Sequence, residues 1–141
     1  MRITKKLTKE ELEEGGRRME EQFANLLEHD ESEGLTWKGT KTDLMEIIHA
    51  TYCNGNIRDD EGYPVTMAWL VSKACRVLHV APPANPYYLA QKGRIRKGVR
   101  CPTFAERYTW IRKETGRDAI RNNVRVIKPK NNNKKNGTNR S

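Results

Sequence analysis

The sequence predicts a mainly α-helical fold with a small β element, preceded by an amphipathic N-terminal helix. Three observations predict it. Apolar residues recur at helical spacing in several separate segments. Three Thr-x-x-acid pairs, Thr8/Glu11, Thr40/Asp43 and Thr103/Glu106, mark helix starts. Strand readings are confined to short segments, Leu35–Lys38, Asn56–Arg58 and Val124–Ile127. The Thr side chain of such a pair accepts the N3 backbone N–H while the acid reaches back to the cap, so both orphan donors are satisfied.

The first helix begins near Lys9, with Leu7 and Leu12 placed as a hydrophobic staple, and runs to about His29. Its stripe, Leu12, Met19, Phe23, Leu26 and Leu27, is narrow and is interrupted by Gly15-Gly16, each of which weakens a helix by about 1 kcal/mol relative to Ala. It needs a surface to lean on, either the following domain or a second copy. Leu35-Thr36-Trp37-Lys38 alternates as a short strand ending at Gly39. A second helix follows Thr40, with Leu44, Ile47, Ile48 and Thr51 on one face and a stop at Asn54-Gly55. Asn56-Ile57-Arg58 reads as a further short strand before the polar turn Asp59–Gly62. Met67, Leu70, Val71, Ala74, Val77 and Leu78 trace the next helix, terminated by Pro82-Pro83.

Asn85-Pro86 reads as cap and first position of a helix running toward Lys97, its apolar side formed by Ala84, Tyr88 and Ile95. Thr103 and Glu106 open another, with Phe104, Tyr108 and Ile111 on one face and Gly116 as the stop. The organisation expected is an N-terminal helix over 1–34, a helical domain over 35–117, a strand within 118–127, and a basic tail over 128–141 that has nothing apolar to bury and is expected to be disordered.

Charge is unevenly distributed. Residues 1–36 hold 6 Lys/Arg against 10 Asp/Glu, 37–83 hold five of each, and 84–141 hold 16 against 3. Such asymmetry is addressed to a polyanion. Within Lys92–Cys101, seven of ten residues are cationic or glycine. On the helix from Asn85, Ala90, Gly93 and Lys97 form a small-residue strip opposite Tyr88 and Ile95, flanked by Arg94 and Arg96. Such a strip suits a groove, and arginine forks onto guanine or phosphate. The DNA-contact candidates are Arg94, Arg96, Lys97 and Arg100, supported by Gln91 and Lys92, with Tyr87 as a phosphate donor. Lys41 sits in a first helical turn, where the dipole disfavours a cation unless a phosphate is nearby. Trp37 reads as a core or strand residue rather than a base-stacking one. Three consecutive helices, the third most basic, fit a helix-turn-helix.

Three cysteines without CxxC spacing fit a reducing compartment, no segment is long and apolar enough to span a bilayer, and the N-terminus lacks a signal-peptide pattern. A soluble cytoplasmic protein is expected, with no cofactor. His49/Cys53 and Cys75/His79 are two i, i+4 pairs that would close a zinc site if brought together. Zinc sites more often include a closely spaced Cys pair, so no metal is expected. No Gly-rich phosphate loop, HExxH or GxSxG occurs, and the acids concentrate in the first helix and the Asp59-Asp60-Glu61 turn, so an enzyme is not expected.

The stretch Trp37-Lys38-Gly39-Thr40-Lys41-Thr42-Asp43-Leu44-Met45-Glu46-Ile47-Ile48-His49-Ala50 resembles the Trp-x-Gly-Ser/Thr-Lys-Thr-Asp-Leu-x-Glu-Leu-Ile-x-Ala signature of the RteC family, regulators found on conjugative transposons of Bacteroides-type bacteria. Looser similarity continues through Gly55, Ile57, Tyr87-Tyr88, Arg94–Lys97 and Thr103-Phe104, covering about Leu35 to Arg112. The resemblance implies a winged-helix-like, helix-turn-helix domain that binds double-stranded DNA and regulates transcription in a mobile element. Two alternatives stand beside it. One is a sequence-independent accessory protein of DNA transfer, or an RNA binder. The other is a protein-interaction module, or a homodimer, acting through the Leu12/Met19/Phe23/Leu26 stripe.

Overall fold

The computed structural model describes residues 7–92 and 103–127. Helix α1 (Lys9–Leu27) opens with the Thr8/Glu11 capping box complete in both directions. A short 3₁₀ turn, Glu31–Glu33, leads into β1 (Leu35–Trp37). Helices α2 (Lys41–Asn54) and α3 (Met67–Val77) follow, then α4, described over 86–92. Helix α5 (Phe104–Thr115), one turn of α6 (Ala119–Asn122) and β2 (Val124–Val126) complete the order. The expected strand region at 118–127 therefore begins as a helical turn, because Asp118 caps the N–H groups of Ile120 and Arg121.

The fold is mainly helical, with β1 and β2 forming a two-stranded antiparallel sheet in the register Leu35↔Val126, Thr36↔Arg125 and Trp37↔Val124. The strands come from distant parts of the chain rather than from one hairpin. A smaller hairpin-like loop joins α2 to α3, closed by Asp59 N–H to Tyr63 O (2.8 Å) and Val65 N–H to Ile57 O (3.0 Å). The Asn56–Arg58 strand is thus reduced to a single bridge, Arg58 with Pro64.

Helix α1 packs most extensively on α5, and its Met19, Phe23, Leu26 and Leu27 enter the same core as Leu44, Ile48, Leu70, Leu78, Tyr108 and Ile120. The apolar stripe of α1 is consequently internal. A partner or second copy docking on Met19, Phe23 and Leu26 has no access to them, which corrects that expectation. The two adjacent glycines differ sharply: a Cβ on Gly15 would lie 1.9 Å from Thr109 Oγ1, whereas one on Gly16 would meet nothing within 4 Å. Gly15 is the point where α1 and α5 touch closely.

Buried acids hold the helices in register. Glu20 accepts from Asn56 Nδ2 (3.1 Å), Asp43 pairs with Arg107 of α5 (2.9 Å), and Glu46 accepts the Phe104 N–H at the start of α5 (3.3 Å). The Thr40/Asp43 box is therefore only half made. Thr40 accepts the Asp43 N–H, but the shorter Asp side chain is committed to Arg107. Helix α3 ends earlier than Pro82-Pro83. His79 adopts φ 53°, and its Nδ1 lies 2.8 Å from Leu35 O of β1, which ties the end of α3 to the sheet.

Tyr108 is fully buried with its hydroxyl directed at Asp118 Oδ2 (3.3 Å). Burial, and the nearby Asp118 charge, push its phenol up to about 12. An unfolded tyrosine ionises near 10. The folded form therefore keeps its proton while the unfolded form loses it, and this contribution is intact below pH 10 and lost as pH rises toward 12. Tyr108→Phe should remove that part of the decline, measured as the difference in thermal-melt pH profiles between the two proteins.

Among the described residues no helix is long and apolar enough to cross a membrane.

Candidate nucleic-acid interface

Asn85 caps α4 by accepting the Tyr88 N–H on its side chain (3.0 Å) and the Leu89 N–H on its backbone oxygen (3.1 Å), and Pro86 occupies the first helical position as expected. Ala90 is 1% exposed and Leu89 is half-buried against the core. Tyr87, Tyr88, Gln91 and Lys92 face outward. The predicted faces are thus exchanged at these positions, since Tyr88 is 61% exposed and Ala90 is inside. The physical reason is size: a methyl group lets α4 lie close to the core, while a phenol needs room and a wet hydroxyl.

Of the expected contact residues, the structure describes Lys41, Tyr87, Gln91 and Lys92. Arg94, Arg96, Lys97 and Arg100 lie outside the described residues, as do Gly93, Ile95, Cys101-Pro102 and the tail from Lys128. Lys41 is exposed at the start of α2, and its charge reaches Cys75 of α3, where it opposes the upward push that burial gives the thiol. Cys75 in turn lines an apolar groove of about 440 Å³ between α3 and the start of α4, with Met67, Val71, Arg76 and Tyr87.

Some of the described cations are held by acids, and others, Lys41 and Lys92 among them, are not. Arg17 and Arg18 are held by Glu14, Arg107 by Asp43 and Lys113 by Glu11 (2.7 Å). Within the described residues neither Lys41 nor Lys92 meets a carboxylate at ion-pair distance; the Lys92 ammonium instead lies 6.0 Å from the centre of the Tyr88 ring. A cation not already committed to an acid is available to a phosphate.

Sequence reasoning missed an aromatic cluster at the start of α4. Tyr87 stands edge to face with His49 (5.8 Å) and with Tyr52 (6.3 Å, interplanar angle 89°), both from α2. Hydrogen bonding with Tyr52 raises the Tyr87 phenol above its ordinary value. The sequence signal was present as His49 and Tyr52 at i, i+3, but nothing local joined them to Tyr87.

Several polar motifs resolve into structure. The Trp37 indole donates to Thr40 O (3.0 Å) and faces Phe104, and a Cβ on Gly39 would come within 2.9 Å of it, so the Trp-x-Gly-Thr segment is a packed start to α2. Asp59 accepts the N–H groups of Glu61 (2.9 Å) and Tyr63 (3.0 Å), a turn-stabilising role. Cys53 Sγ lies 3.6 Å from His49 Nε2, but Cys75 and His79 are employed elsewhere, and no group of three or more His, Cys, Asp or Glu suited to a metal occurs among the described residues. Comparison with family models, curated proteins and solved structures finds no match.

Proposed function

We propose that the protein is a cytoplasmic duplex-DNA-binding regulator of a mobile genetic element, contacting DNA with the outward face of α4 and the basic segment that follows it. One observation carries the DNA-binding part. Ala90 and Leu89 anchor α4 to the core while Tyr87, Tyr88, Gln91 and Lys92 project outward, immediately before a run in which seven of ten residues are cationic or glycine. Exposed N-terminal residues followed by phosphate-binding cations are what a recognition helix requires. In this reading α3 and α4 form the helix-turn-helix pair, α2 supports them, and the β1–β2 sheet completes a winged-helix-like arrangement. The regulatory role and the mobile element rest on the RteC-like segment from Trp37 to Ala50.

A second reading, a sequence-independent accessory protein of DNA transfer, is favoured by the composition of the exposed α4 face. In its described turns only Gln91 and Lys92 have side chains suited to a base edge, and Lys92 serves a phosphate equally well. Fluorescence-anisotropy titration against element-derived and scrambled duplexes separates the two. The regulator prefers the element sequence, and the accessory protein does not distinguish them.

A further inference from the structure

Half of the chain's ten aromatic side chains, Tyr52, Tyr63, Trp69, Tyr87 and Tyr88, are exposed, and all five fall between positions 52 and 88. The other five, Phe23, Trp37, Phe104, Tyr108 and Trp110, are buried. Two of the exposed set, Tyr52 and Tyr87, meet where α2 ends and α4 begins, and Tyr88 is the next residue of α4. Tyr52, Tyr87 and Tyr88 are 37%, 49% and 61% exposed, and His49, Tyr52 and Tyr87 are in mutual ring contact.

We propose that this aromatic surface takes unpaired DNA bases, so that the protein holds an opened segment of DNA more tightly than the closed duplex. The proposal rests on the DNA-binding reading above and specifies the form of DNA the same site prefers.

The chemistry follows from the rings. In a closed duplex each base face is covered by its neighbours, so Tyr87 and Tyr88 offer the duplex little beyond a hydroxyl. An unpaired base has a free face, and stacking on an exposed ring is worth about 1–3 kcal/mol per base, whichever base it is. The Tyr52 and Tyr87 rings stand at right angles, so a base laid on one has the other at its margin. The edge-to-face contacts among Tyr52, Tyr87 and His49 hold the rings in place before a ligand arrives, which lowers the ordering cost. The occupant is a polyanion, because the chain from Ala84 onward carries 16 Lys/Arg against 3 Asp/Glu and the Lys92 ammonium lies 6.0 Å from the centre of the exposed Tyr88 ring. An electropositive track beside stacking rings is the recurrent arrangement for single strands.

The test uses the full chain and two DNAs of one sequence, a closed duplex and a duplex with a short central unpaired run containing 2-aminopurine, with RNA of the unpaired sequence as a third probe. The expected result is about tenfold tighter binding of the opened DNA, with quenching of 2-aminopurine as it stacks. Tyr52→Leu should abolish that preference while changing closed-duplex affinity far less than opened-DNA affinity, and Tyr52→Phe, which keeps the ring, should retain it. Should Tyr52→Leu unfold, quenching by the intact chain and by Tyr52→Phe still decides. Equal affinity for opened and closed DNA, or absence of quenching, overturns the aromatic site alone. Tighter binding of the RNA overturns its assignment to DNA. No binding of any DNA overturns both this inference and the reading beneath it.

Discussion

Replacing Arg94, Arg96, Lys97 and Arg100 together with alanine should lower duplex affinity by about a thousandfold at ~0.15 M salt if each contacts one phosphate. Each neutralised phosphate releases close to one counterion, so four lost contacts weaken binding by roughly three powers of ten at that salt. The same variant should melt at an unchanged temperature, because Arg and Lys side chains are almost never fully buried unless paired. Retained affinity would move the interface away from this segment. Lysine in place of all four would keep much of the non-specific affinity while losing forked contacts to guanine, which separates backbone grip from base reading.

Gly15→Ala should destabilise the fold by about 1–3 kcal/mol, the range typical of overpacking a well-filled contact. The Thr109 Oγ1, Cβ and Cγ2 atoms all fall within 3 Å of the added methyl, and the Thr109 hydroxyl is held by Ala105 O (2.8 Å), so the branched side chain has little freedom to withdraw. Gly16→Ala, one residue along, should instead stabilise by up to about 1 kcal/mol, since the methyl enters open space and the helix gains alanine's propensity. Opposite signs at neighbouring positions, read from thermal or urea melts, would establish that α1 and α5 meet at Gly15. Thr109→Gly in the Gly15→Ala background removes all three crowding atoms and should recover part of the loss. Equal effects at the two glycines would contradict the packing.

These two expectations mark where the sequence was informative. Features set by a few consecutive residues were legible: the Thr8/Glu11 and Thr103/Glu106 boxes, the stops at Gly55 and Gly116, and the Asn85-Pro86 start all rest on local chemistry. The strand pairing of Leu35–Trp37 with Val124–Val126 was legible as two alternating segments, though their register depends on contacts across most of the chain. Gly15 and Gly16 were indistinguishable, because what separates them is Thr109, which lies 94 positions from Gly15 in sequence. Helix α4 was placed correctly but its described turns were rotated, since periodicity cannot say whether Ala90 or Tyr88 meets the core when both are compatible with burial. The candidate interface was visible as charge and invisible as geometry. The aromatic cluster required knowing that the end of α2 lies against the start of α4.

The RteC-like segment illustrates a further point. Its Trp37, Asp43 and Glu46 are occupied by Thr40, Arg107 and Phe104 respectively, so within that block the polar residues that look most distinctive build the domain. Lys38 and Lys41 are its exposed cations, of which Lys41 belongs to the signature. What the resemblance implies about DNA therefore bears on Lys41 and on the α4 segment rather than on the whole signature.

The most direct measurement is the salt dependence of duplex binding by the intact chain, followed by fluorescence anisotropy. Contacts to six phosphates predict that log K falls with log salt at a slope of about −5, and a slope near zero, or no binding at low salt, would contradict the assignment of the basic α4 segment to DNA.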